Sequence, residues 1–273
     1  MKVAISATPV RANFAPILLE GDIEEIFAKA EKCGYGGIEL HLRDPYDIDW
    51  NKTLKIPKHY SIPVTAIGTG AGARMDGLSF TDHDAEVRHK STARIMEHIK
   101  LASLLKSAVI LGSFNGNIGS NPQENGLRRG YYLECLKQSC EFASESGVMI
   151  LLEPLNRYES DWFNIAEQAV KVINQIGFPN IKYLADTFHM NIEEVNISRT
   201  LSQAGSKLGY VHLADSNRQA PGLGHIDFSA ILKTLQDIGY DGCLSFECLP
   251  VPDIKRPLEY VKKILSQLKT ARP

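Results

Sequence analysis

The sequence predicts an α/β protein, a (β/α)8 TIM barrel in a single domain over residues 1–273. Three observations carry that reading: eight short apolar runs, amphipathic stretches between them, and no Pro/Gly/Ser-rich linker to divide the chain. Eight strand–helix units in this length allot about 34 residues to each, close to the usual repeat of such a barrel. A doubly wound open sheet is the alternative, because periodicity does not reveal strand order.

The runs are Val3–Ala7, Gly37–Leu42, Val64–Gly68, Ala108–Gly112, Val148–Glu153, Ile181–Asp186, Tyr210–Asp215 and Cys243–Leu249. Several are apolar at consecutive positions, as strands covered on both faces must be. Helical spacing follows: Ile23, Ile26, Phe27 and Ala30 share one face, with Asp22 and Glu25 placed as a capping-box variant. Phe228, Ile231, Leu232 and Leu235 repeat the pattern behind Asp227 as N-cap, and Leu258, Val261, Leu265 and Leu268 repeat it after Pro257. The segment 114–129, FNGNIGSNPQENGLRR, reads as a long Gly- and Asn-rich loop after the fourth run and a candidate lid.

Composition narrows the function. Lys plus Arg number 30 and Asp plus Glu 32, so the net charge of −2 provides no field for a phosphate backbone, and a nucleic-acid partner is not expected. The cysteines Cys33, Cys135, Cys140, Cys243 and Cys248 are odd in number and form no CxxC pair. That argues against a disulfide framework or a zinc ribbon and fits a reducing cytoplasm; Cys248 reads as packing. Arg11 and Asn13 break the first apolar stretch, and no run approaches the roughly 18–20 apolar residues of a membrane span, so a soluble cytoplasmic protein with no membrane partner is expected.

Four successive runs end in potential metal ligands: Glu153 in ILLEP, Asp186 in YLADTFH, His212 in YVHLAD and Glu247 in LSFECLP. The intervals of 33, 26 and 35 residues are each about one strand–helix unit, so barrel closure would bring all four to one point of the C-terminal rim. Any one of them alone could be a first exposed position or a hydrogen-bonded core residue. Four together, each inside an apolar run, are costly to bury without a cation. Three oxygens and one nitrogen suit a borderline-to-hard divalent ion such as Mn2+, Co2+, Mg2+ or Zn2+. Glu159, His189 and Arg218 follow the same runs on the rim and could hold the hydroxyls of a small polar substrate.

The segments EPLNRYESDWFN (153–164), ADTFHMNIEE (185–194), HLADSNRQAPGLGHIDF (212–228) and FECLP (246–250) carry a resemblance that spans essentially the whole chain. In order and spacing the sequence resembles the xylose-isomerase-like TIM-barrel family of sugar isomerases and epimerases, most narrowly its D-tagatose 3-epimerase and 5-keto-L-gluconate epimerase-like members. RDP (43–45) and AIGTG (66–70) add to the second likeness. The resemblance implies Glu153, Asp186, His212 and Glu247 as metal ligands. It implies Glu159, His189 and Arg218 as contacts to the carbonyl end of a ketose, and a homo-oligomer, dimer or tetramer.

The chemistry that such a set serves is removal of a proton from the carbon beside a ketone, which needs the resulting enediolate to be stabilised. Epimerisation then requires two proton-transfer groups on opposite faces, for which Glu153 and Glu247 are the natural pair. A keto-sugar acid would need a cation for its far carboxylate, and Arg11, Arg43 and Arg74 follow the first three runs. An aldose–ketose or hydroxypyruvate-type isomerase is the alternative reading. An endonuclease IV-like DNA-repair nuclease is more remote, since it requires further histidines and the third and fourth runs end in AIGTG and ILGSFNG. A barrel that binds a sugar or metal without catalysis could dispense with the facing glutamates.

Overall fold

Eight parallel strands hydrogen-bond in chain order: β1 (Lys2–Thr8), β2 (Gly37–His41), β3 (Val64–Gly68), β4 (Ala108–Leu111), β5 (Ile150–Leu152), β6 (Ile181–Asp186), β7 (Leu208–His212) and β8 (Cys243–Phe246). β1 pairs with β8 from Lys2–Cys243 to Ile5–Phe246, and this closes the sheet into the expected barrel rather than the open doubly wound alternative. A two-residue strand, Leu19–Glu20, pairs in parallel alongside β1 at Ala7 and Thr8. These elements come from a computed structural model that describes residues 1–10, 15–250 and 253–270; Arg11 lies outside the described residues.

Side chains alternate across the barrel wall. Ala4, Ala66, Ile110, Leu151, Leu184, Tyr210 and Cys243 pack together inside, while Ile5, Ile38, Leu40, Ile67, Val109 and Leu111 face the surrounding helices. With a period of two, the residues above inward Leu151, Leu184 and Tyr210 are Glu153, Asp186 and His212, and Glu247 lies two steps above Cys243. The apolar plug therefore ends where the polar residues begin.

The helices bury the predicted faces. In the helix Ile23–Cys33, Ile23, Ile26, Phe27 and Ala30 are buried, and Asp22 accepts from the Glu24 amide at 2.9 Å. The capping-box variant is incomplete: Asp22 bonds the second helical amide, and Glu25 pairs with Lys29 at 3.7 Å instead of reaching back. Asp227 caps Phe228–Asp237 through the Ala230 amide, and Pro257 stands in the first turn of Arg256–Thr270 as expected. Cys248 is fully buried in the core, as its packing role requires.

The long loop expected over 114–129 is corrected by the structure. Asn121 and Pro122 are a helix start, with the Asn121 side chain accepting from the Gln123 amide, so Pro122–Glu145 takes up the second half of the segment as one helix. What remains is a 3-10 turn, Ser113–Asn115, and a short link whose Ile118 and Gly119 amides both donate to the Asp161 carboxylate at 2.8 Å. Two charge-assisted bonds pin this link to the neighbouring rim loop, which is not how a hinged lid is built. Among the described residues, no helix is long and apolar enough to cross a membrane.

Leu232 is fully buried between the helix Phe228–Asp237 and the barrel. Leu232→Ala is expected to lower unfolding free energy by about 2–5 kcal/mol, and Asp227→Ala by about 1 kcal/mol, both measured by urea denaturation.

Candidate metal centre and its rim

Barrel closure brings Glu153, Asp186, His212 and Glu247 together, with one ligand atom from each lying within 4.8 Å of all the others. His212, fully buried at the end of β7, points Nδ1 into the cluster: Glu153 Oε1 lies at 3.2 Å, and Asp186 Oδ2 and Glu247 Oε2 each at 3.6 Å. Gly112, at the end of β4, is what admits the Glu153 carboxylate, since a Cβ there would stand 2.5 Å from Glu153 Oε2.

Asp186 shows how the cluster is incomplete as protein alone. Its Oδ1 caps the helix Thr187–Glu193 by accepting from the Phe188 and His189 amides. Its Oδ2 is buried, without a hydrogen-bond partner, and faces His212 Nδ1. A buried charged oxygen left without a donor is expensive, and a cation at the centre of the four would satisfy it. Three carboxylates and one imidazole nitrogen are also a suitable donor set for a divalent ion.

The three flanking residues predicted on the rim meet beside this cluster. Arg218 donates from Nη1 to Glu159 Oε1 at 2.9 Å, its Nη2 lies 3.9 Å from Glu247 Oε2, and its guanidinium carbon sits 4.7 Å over the Phe188 ring. His189 is buried, with Nδ1 accepting from the Asn156 amide at 3.1 Å and Nε2 3.8 Å from Asp186 Oδ2. Arg218 takes a left-handed backbone, φ 60°, and its carbonyl accepts from the Leu249 amide. The turn that carries it is tied down by buried Asp215, which accepts from the amides of Ser216, Gly222 and Ile226.

Three residues of the site escaped the sequence reading. Asn156 Nδ2 donates to Glu159 Oε1 and approaches His189 Nδ1 at 2.7 Å, so it orients two of the rim groups. Glu39 and His41, on β2, also point inward: Glu39 Oε2 lies 3.0 Å from His212 Nε2, and Glu39 Oε1 lies 2.7 Å from His41 Nε2. The signal was present in GIELH, where two polar residues alternate with apolar ones in a strand that should be apolar throughout.

The predicted arginines separate. Arg43 is turned to Asp76, which also receives Arg94 Nη1 at 2.9 Å. Arg74 instead contacts Ser113 Oγ at 3.1 Å and lines a cavity of about 460 Å³ together with Arg128, Leu155 and Glu159.

Charge in the cluster is mutually adjusted. Burial would lower the His212 imidazole, but the carboxylates of Glu39, Glu247, Asp186 and Glu153 around it push it well above its ordinary value. Burial raises the Glu247 carboxyl well above the carboxylate range, with Glu153 adding to the rise and His212 opposing it. Burial also acts to raise Asp186, but His189, His212 and Arg218 outweigh it and hold that carboxyl below its ordinary value. Because the raised groups keep protons that a bound cation would displace, metal binding is expected to release protons and to weaken as pH falls from about 8 to about 6. Calorimetric titration of the metal-free chain with Mn2+, in buffers of different ionisation enthalpy, measures both effects.

The xylose isomerase-like TIM barrel family model matches residues 27–264. The chain is 33% identical to the L-ribulose 3-epimerase of Mesorhizobium japonicum over 231 residues, 84% of this chain and 76% of that protein. It is 24% identical to the hydroxypyruvate isomerase of Escherichia coli, over 88% of this chain and 92% of that one. A solved structure of an L-ribulose 3-epimerase superposes with a TM-score of 0.81 at 26% identity, covering 98% of this chain and 96% of that chain. With the closed barrel and the rim cluster in place, these matches show that the chain belongs to the xylose isomerase-like TIM-barrel family, among its sugar epimerases and isomerases.

Proposed function

We propose that this chain is a divalent-metal-dependent epimerase that inverts the carbon next to the ketone of a ketose or keto-sugar acid. The observation that carries the reading is the pair Glu153 and Glu247, which reach one cation-sized centre from β5 and from β8 with ligand atoms no more than 4.8 Å apart. The similarity to an L-ribulose 3-epimerase supports the substrate class.

Glu153, Asp186, His212 and Glu247 would hold the ion, with Mn2+ as the preferred occupant. When bound, it supplies a Lewis acid for the negative charge that develops on the carbonyl oxygen. The protein groups perform the proton transfers. One glutamate removes the proton beside the ketone and the other returns a proton to the opposite face, with the roles exchanged in the reverse direction. Glu159, His189 and Arg218 bind the carbonyl end of the sugar; the hydrogen bonds that Asn156 makes to the first two hold them in register. His189 Nδ1 accepts from a backbone amide, so its Nε2 carries the proton and is the donor available to a substrate oxygen.

The cavity beside Glu159 has room for the remainder of a five- or six-carbon chain. Among the described residues, Arg74 is the arginine of the predicted set that lines it, and for a keto-sugar acid it is the partner of the far carboxylate. An aldose–ketose or hydroxypyruvate-type isomerase would use the same ligands but pass the proton between adjacent carbons on one face. Arg218, held over Phe188 beside the cluster, favours a ketose with hydroxyls to bind. The remote nuclease reading has no support in the ligand set: among the described residues the groups able to hold a metal are this cluster and the adjoining Glu39, His41 and Glu247.

The deciding experiment follows metal-loaded protein by NMR in deuterated water with ketohexoses, ketopentoses and keto-hexonates. Deuterium at the carbon beside the ketone with appearance of the epimer is expected, and its loss in Glu153→Gln, in Glu247→Gln and after chelation. An aldose product would move the assignment to the isomerase reading. For keto-hexonates, Arg74→Ala is expected to raise KM about 10-fold or more with little change for neutral ketoses, as loss of a charge-assisted bond requires; equal KM values would remove Arg74 from the site.

A further inference from the structure

We infer that Glu39 is the positioning residue of the metal centre: from the middle of β2 it reaches across the barrel to His212, and it is itself anchored by His41. This rests on the metal centre proposed above.

Glu39 is fully buried between Ser6 on β1 and Ala66 on β3, and each of its carboxylate oxygens is taken by one imidazole. Oε2 lies 3.0 Å from His212 Nε2 and Oε1 lies 2.7 Å from His41 Nε2. Both ring nitrogens of His212 are thereby assigned. Nδ1 faces Glu153, Asp186 and Glu247, so it must present its lone pair to the cation they surround. Nε2 must then carry the hydrogen and donate it to Glu39. A carboxylate in that place fixes the tautomer, prevents the ring from turning about its Cβ–Cγ bond, and makes Nδ1 a stronger donor to the metal.

The local backbone is shaped for this. The β2–β3 register slips between Ile38 and Glu39, so that Ile38 faces Val64 while Glu39 faces Ala66. The extra residue, Thr65, lies on β3, and the slip sets the Glu39 side chain beside the small Ala66. Gly68 leaves room for the neighbouring ring, since a Cβ there would collide with His41. His41 Nε2 also lies 3.9 Å from Glu247 Oε1, so the Glu39–His41 pair borders the cluster on a second side.

The test compares the unmodified chain with Glu39→Gln, which keeps the shape and removes the charge, and with His41→Gln, which frees one Glu39 oxygen. Titration of metal-free protein with Mn2+ is expected to show one ion per chain, an affinity loss of about 10–100-fold in Glu39→Gln and a smaller loss in His41→Gln. In the Zn2+-loaded, 15N-imidazole-labelled chain, a far-downfield His212 Nε2–H resonance is expected, moving upfield in Glu39→Gln. If Glu39→Gln does not fold, that resonance in the unmodified chain and the His41→Gln affinity decide the matter. Unchanged affinity and an unchanged His212 resonance, with only a lower melting temperature, would make Glu39 a brace between β2 and β7 and overturn the inference. Two ions per chain, the second lost in His41→Gln, would also overturn it, because Glu39 would then be a ligand. No ion bound by the unmodified chain would overturn the metal centre itself.

Discussion

The rim of this barrel is organised around one electrostatic constraint: three carboxylates converge on a single imidazole nitrogen in a place from which water is largely excluded. Like charges this close repel strongly in a low-dielectric surrounding, and each pays a desolvation cost besides. The arrangement is stable only with positive charge at its centre and donors around it. Arg218 supplies that charge from the rim, His212 supplies it from within, and the orphaned Asp186 Oδ2 marks where a cation would complete the set.

Rigidity beneath the rim holds these groups close. The inner layer of Leu151, Leu184, Tyr210 and their neighbours fills the barrel and gives the polar side chains a floor on which to stand. Register slips between Ile38 and Glu39 on β2 and between Tyr183 and Leu184 on β6 shift neighbouring strands by one residue, the first at buried Glu39 and the second within the apolar layer. Above the strands, Asp161 fastens the link after β4, Asp215 fastens the turn that carries Arg218, and Asp76 gathers Arg43 and Arg94. Each loop is held by a carboxylate that accepts several donors, so the rim groups are preorganised.

Much of this was legible in the chain. The order and composition of the apolar runs reveal a repeated strand–helix unit, since a strand covered on both faces has no polar position to spare and a helix on its outside must show a 3.6-residue period. The four residues of the rim cluster were legible for the same reason: Glu153, Asp186, His212 and Glu247 are exceptions within apolar runs at intervals of one repeat. Where reading failed over residues 114–129, the cause was local. Asn121–Pro122 carries the same residues as a loop and as a helix start, and only the hydrogen bond from the Gln123 amide distinguishes them.

By itself, then, the sequence determined the repeat, the apolar faces and the four polar positions that converge on the rim, because each is encoded in the spacing of residues along one strand or helix. Tertiary structure alone decided that the sheet closes, through the pairing of β1 with β8, which are the two ends of the chain. It decided that Glu39 on β2 meets His212 on β7, and that Arg43 turns to Asp76 while Arg74 faces the cavity. Those contacts join residues far apart in the chain, and their partners are chosen by which strands oppose one another across the barrel, a quantity that no local spacing contains.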